Sequence, residues 1–117
     1  MQYRFNTLIR KKRIVLRERG DRSFSLRQVA FRIGVEPSYL SKIERGALPP
    51  PSEEKVVLLA GELGVDADYL LSLAGKVASD LQLIIRERPV LYGRLIRTFQ
   101  DVPDDSVQEF IDQVEKG

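Results

Sequence analysis

The sequence predicts an all-α fold: five short helices within residues 1–74, then a short helical extension over residues 75–117. Apolar residues recur at helical spacing almost throughout, and no stretch alternates polar and apolar for long enough to make a strand. Between the periodic segments stand residues that start or stop helices, among them Ser25, Gly34, Pro37, Gly46, Ser52, Gly64 and Asp66.

A first helix is expected from Phe5 to Arg17, burying Phe5, Ile9 and Leu16 and exposing Arg10, Lys11 and Lys12. A polar loop from Glu18 to Ser23 follows. Ser25 then serves as N-cap of a second helix, with Gln28 three residues on as its capping-box partner and Phe24 ahead as a hydrophobic staple. Leu26, Val29, Ala30 and Ile33 form its buried stripe, and Gly34 stops it. Pro37 suits the first position of a third helix, where a missing N–H leaves nothing unpaired, and Gly46 closes that helix. After the stiff linker 47–51, Ser52 caps a fourth helix whose Glu53 and Glu54 complement the dipole and whose Val56, Leu59, Ala60 and Leu63 face inward. Gly64 ends it. Asp66 caps a fifth helix bearing Leu70, Leu73 and Ala74.

Three further helices are expected in the extension. They carry Val77, Leu81, Ile84 and Ile85; then Pro89 with Leu91, Tyr92, Leu95, Ile96 and Phe99; then Pro103, Asp104 and Asp105 ahead of Val107, Phe110, Ile111 and Val114.

A chain of 117 residues has room for one domain of about 70–75 residues and an appendage. It contains no cysteine and no histidine, which removes thiolate nucleophiles, imidazole bases and metal sites built on sulfur or imidazole. No glycine-rich phosphate loop is present either, so neither an enzyme nor a cofactor nor a metal is expected. No apolar run approaches the roughly 18 residues of a membrane span, and Met1, Gln2, Tyr3 and Arg4 turn basic before any apolar stretch develops. A cytoplasmic setting, without membrane contact, is the expectation. Arg19-Gly20-Asp21 reads as a polar turn, not an adhesion signal.

The net charge of +2 hides a strong asymmetry: residues 1–50 hold 12 Lys/Arg against 4 Asp/Glu, net +8, and residues 51–117 hold 7 against 13, net −6. The basic half attracts a polyanion and the acidic half helps decide which face meets it. On the third helix Leu40 and Ile43 point inward. Ser38, Ser41, Lys42 and Arg45 then share the other side at i, i+3, i+4 and i+7, a stripe of hydrogen-bond donors with no carboxylate among them. Such a stripe, beside the basic first helix, suits contact with nucleic acid better than with water alone.

The run SLRQVAFRIGVEPSYLSKIERG, residues 25–46, resembles the helix-turn-helix of the Cro/cI-type (XRE) family, and PSEEKVVLLAGELGVDADYLL, residues 51–71, resembles its fourth and fifth helices. With the first helix the resemblance spans residues 5–71 and implies a five-helix lambda-repressor-like DNA-binding domain. It implies that helix 37–45 enters the major groove of double-stranded DNA with Pro37, Ser38, Ser41 and Lys42 nearest the bases. Lys42 would address guanine and Pro37 a thymine methyl; Glu36, at a position where the chain departs from the family, is a further base-reading candidate whose carboxylate can accept from a cytosine amino group. Arg27, Gln28, Tyr39 and Arg45 would hold the DNA backbone, helped by N–H groups at the start of the second helix. It also implies a structural ion pair between Arg13 and Glu44, which would account for a charge on the same face as Ile9 and Leu16. This chain departs from the family at Leu26, where many relatives carry glutamine, at Glu36, and in its longer first loop. Phe31, off the core stripe, is expected to pack on that loop or on the extension.

One such domain makes few contacts, so these proteins commonly bind two half-sites as dimers. The stripes Leu91, Leu95, Phe99 and Phe110, Ile111, Val114 are the candidate homodimer interface. Their alternative is packing within the chain, and the extension is too short to enclose a metabolite pocket. The resemblance therefore implies a homodimeric transcription regulator, by family default a repressor on a palindromic operator. The competing reading is an adaptor or antitoxin-type protein whose C-terminal helices bind another protein, with DNA binding secondary.

Overall fold

The computed structural model describes residues 4–117; Met1, Gln2 and Tyr3, part of the basic start noted above, lie outside the described residues. Among the described residues all regular structure is helical: α1 (Phe5–Glu18), a 3₁₀ turn (Arg22–Phe24), α2 (Leu26–Ile33), α3 (Pro37–Glu44), α4 (Glu53–Leu63), α5 (Ala67–Leu73), α6 (Ser79–Glu87), α7 (Pro89–Phe99) and α8 (Asp104–Lys116). No helix is long and apolar enough to cross a membrane, and no group of acidic, histidine or cysteine residues could hold a metal among the described residues. The chain divides into two compact units, one ending at Ala78 and the other Ser79–Gly117.

Local chemistry starts most of these helices. The Ser25, Ser52 and Asp66 side chains accept from the backbone N–H groups of Gln28, Lys55 and Tyr69, each satisfying a donor that a helix start leaves unpaired. Pro37 and Pro89 open α3 and α7. Between α1 and α2 the expected irregular loop is an ordered 3₁₀ turn: the Asp21 carboxylate accepts from the Ser23 hydroxyl and from the Ser23 N–H. Those two bonds, the hydroxyl's first, hold the Asp21 carboxyl below its ordinary value of 3.8.

The first unit is organised around one core. α1 contributes Phe5, Leu8 and Ile9; α2 Val29, Ala30 and Ile33; α3 Leu40 and Ile43; α4 Val56, Leu59, Ala60 and Leu63; α5 Leu70 and Leu71. Each large side chain so buried contributes about 1.5–3 kcal/mol, and together they fix α2 and α3 on α1 and α4. Leu16, Leu26, Leu73 and Ala74, expected inside, sit only half-buried at its margin, and Leu8 and Leu71 take the inner places. The unit also runs past the expected limit at residue 74. Ala78 packs on its core and Lys76 Nζ donates to the Pro51 carbonyl at 2.9 Å, which seats the chain after α5 against the linker.

The second unit consists of α6, α7 and α8, and none of its residues is buried. The Phe99 and Phe110 rings meet at 5.3 Å between centroids, tilted by 46°, so two residues of the expected dimer stripe touch one another inside the unit. The Arg88 guanidinium lies over the Tyr92 ring at 4.6 Å and donates to its hydroxyl. Leu81, Leu91, Leu95, Phe110, Ile111 and Val114 remain between 40 and 62% exposed.

Candidate nucleic-acid interface

α2 and α3 meet through the turn at Gly34, whose φ of 76° is a left-handed conformation that a side chain would resist. The turn is held from outside as well. Lys55, in the first turn of α4, donates from Nζ to the Ile33 carbonyl at 2.9 Å and fills the space beside Gly34, where an added Cβ would stand 3.1 Å from it. A cation in the first turn of a helix opposes the dipole; that anomaly was the sequence signal for this contact.

α3 is gripped from α1. Arg13 Nε donates to Glu44 Oε2 at 2.7 Å and its Nη2 to Oε1 at 2.9 Å, a two-pronged pair whose side chains are 9 and 5% exposed. Arg13 Nη1 also donates to the Phe24 carbonyl at 3.2 Å, next to the cap of α2. One guanidinium therefore joins α1 to α3 and to the 3₁₀ turn that leads into α2. Asn6 Nδ2 reaches the Glu44 carbonyl at 3.5 Å at the far end of α3. The third bond of Arg13 and the role of Asn6 leave no trace in local sequence pattern.

With Leu40, Ile43 and Glu44 committed inward, the other side of α3 faces solvent. Glu36, Ser38, Lys42 and Arg45 are exposed, and Pro37, Tyr39 and Ser41 half-exposed. Arg45 Nε lies 3.4 Å from the Ser41 carbonyl. Glu36 is the N-cap residue in extended conformation but makes no side-chain cap bond, so its carboxylate stays available. Arg27 and Gln28 stand exposed at the start of α2, whose first turn carries no acid to compensate its dipole.

The first loop folds onto the motif. The Arg32 guanidinium lies 5.3 Å over the Phe24 ring while its Nε pairs with Glu62 Oε2 at 3.0 Å, linking loop, α2 and α4. Phe31, by contrast, is 79% exposed and is not covered by the loop. Phe24 takes that place, because the helical period turns residue 32 and not residue 31 toward it.

A helix-turn-helix family model matches residues 15–70, from the last turn of α1 into α5. A solved structure, the complex of a SinR protein with a SinI protein, is similar to this chain at 25% identity, covering 95% of this chain and 94% of that one, with a TM-score of 0.48. No curated protein matches. Residues 15–70, just under half of the chain, thus match the helix-turn-helix family of Cro/cI (XRE) type.

Proposed function

We propose that the protein is a transcriptional repressor that occupies a palindromic operator as a homodimer, reading each half-site with residues 37–45. The observation that carries this reading is the outer side of α3: Ser38, Lys42 and Arg45 are exposed on a helix whose opposite side is locked by the core and by Arg13. In this reading Glu36, Pro37, Ser38, Ser41 and Lys42 meet the bases, while Arg27, Gln28, Tyr39 and Arg45 grip phosphates. The contact-bearing stripe is short, so a second copy supplies the remaining affinity. The stripes of α7 and α8 form the homodimer contact, supported by the exposure of Leu91, Leu95, Phe110, Ile111 and Val114 in a unit that buries nothing, with the half-buried Phe99 beside them.

Selection of bound sequences from a random duplex pool tests the proposal. The expected result is an imperfect palindrome with half-sites about 34 Å apart, bound by a protein of twice the chain mass, with affinity falling steeply as salt rises. Recovery of no motif, or affinity indifferent to salt, overturns it. A monomeric mass in isolation would favour the adaptor reading.

A further inference from the structure

Beside the recognition stripe lies a second basic feature. Thr7, Arg10, Lys11 and Ile14 fall at i, i+3, i+4 and i+7 on α1, and with Arg45 at the end of α3 they line a recess of about 400 Å³. We infer that this recess is a phosphate site which holds one phosphodiester of the DNA strand flanking the groove. The inference rests on the proposed entry of α3 into that groove.

The charge balance of the recess favours an anion. Arg10, Lys11 and Arg45 contribute three cations against the single carboxylate of Glu44, and both oxygens of that carboxylate are engaged by Arg13. The Glu44 carbonyl is likewise occupied by the Asn6 amide. Acidic neutralisation from within the site is therefore already spent on a buried partner. Arg10 is exposed and makes no ion pair among the described residues, so its guanidinium is available for the two-pronged geometry that a phosphate accepts. Thr7, three residues before it on the same side, adds a hydroxyl donor.

Location selects a nucleic-acid phosphate over a free one. Arg45 belongs both to the recess and to the outward stripe Ser38, Ser41, Lys42 and Arg45, so whatever meets that stripe passes the mouth of the recess. A helix seated in a major groove about 12 Å wide has the phosphates of the bounding strands at its flanks, and α1 forms the flank here. The recess thus contributes affinity and register without reading sequence.

The test compares Arg10→Gln, Arg10→Lys and Lys42→Ala with the parent, measuring affinity for a selected duplex and for a random duplex from about 50 to 200 mM salt. Arg10→Gln is expected to lower the slope of log affinity against log salt by about one, and to weaken both duplexes by the same factor, roughly tenfold at low salt. Arg10→Lys retains the slope, and both Arg10 variants keep the parent melting temperature. Lys42→Ala should instead narrow the gap between the two duplexes. An unchanged slope in Arg10→Gln together with a narrowed gap in Lys42→Ala overturns the recess alone; no effect of either variant overturns the recognition reading and the recess with it. A parallel titration with inorganic phosphate in the absence of DNA separates the two sources. Saturable binding that needs Arg10, with no change in the DNA slope, would make this a small-anion site and overturn the duplex assignment.

Discussion

Lys55 Nζ and the Ile33 carbonyl, 22 residues apart and 2.9 Å from one another, close the end of α2 with a side chain from α4. Two physical effects oppose each other at this lysine. A cation in the first turn of α4 is unfavourable by about 0.3–1 kcal/mol through the dipole, whereas a charged hydrogen bond to a carbonyl that would otherwise lack a partner stabilises by about 1.5–3 kcal/mol. The second is larger, and so the clamp wins.

Lys55→Glu separates these effects by sign. On dipole grounds alone it should stabilise the protein; because it removes the clamp and sets an acid against a carbonyl, it is expected to destabilise by more than Lys55→Met does. For a domain of this size each kcal/mol lost lowers Tm by about 4–8 °C. Thermal melts followed by circular dichroism check the order parent, methionine, glutamate, and a glutamate variant melting above the parent refutes it.

Glu44→Ala is expected to cost about 3–5 kcal/mol, because it leaves the Arg13 guanidinium buried without its anion. The double variant Arg13→Met/Glu44→Leu replaces the charges by apolar volume and should recover most of that loss. It cannot recover the bond from Arg13 to the Phe24 carbonyl. Amide exchange around the 3₁₀ turn should therefore stay faster than in the parent even where the global melt is restored. Equal melting of Glu44→Ala and parent would show the pair to be energetically idle.

The bonds to Asp21 give the 3₁₀ turn a defined acid limit. Its folded carboxyl titrates below the unfolded value of 3.8, so the stabilisation is fully present above that value and is lost as pH falls through the lower, folded one. Asp21 is fully exposed, which keeps the effect local. An NMR titration followed at the Ser23 amide should have its midpoint below 3.8, and Ser23→Ala should raise that midpoint. A Ser23 amide that moves along with the ordinary carboxylates would contradict the capping geometry.

What the residues disclose by themselves depends on distance along the chain. The caps at Ser25, Ser52 and Asp66 and the stop at Gly34 are legible because each is settled within three or four residues. The outward stripe of α3 is legible because period alone separates Ser38, Lys42 and Arg45 from Leu40 and Ile43. The contact of Asn6 with Glu44 joins segments whose patterns are individually ordinary, and the cation at the start of α4 signals a partner for Lys55 without naming Ile33; only packing brings them together. Arg13 and Glu44 stand between these cases: an arginine on an apolar face signals a buried partner, yet its identity came from family likeness. Leu71 exchanged places with Leu73 because a seven-residue helix shows too few turns for its period to fix which side faces inward.

The second unit supplies the remaining prediction. Three helices whose apolar stripes leave no residue buried lack the core that holds the first unit together, and a partner surface on those stripes would provide one. Leu95, 40% exposed, lies centrally in α7 with Leu91 one turn before it. Leu95→Glu places a charge that association would have to desolvate, and it is expected to weaken dimerisation at least tenfold, about 1.4 kcal/mol. Light scattering across a concentration series should show the variant as monomer where the parent is dimer. Binding to a full palindrome should fall while binding to a half-site stays level, since α3 is untouched. A variant that remains dimeric would move the interface away from α7, and a loss on half-sites equal to that on palindromes would separate dimerisation from operator binding.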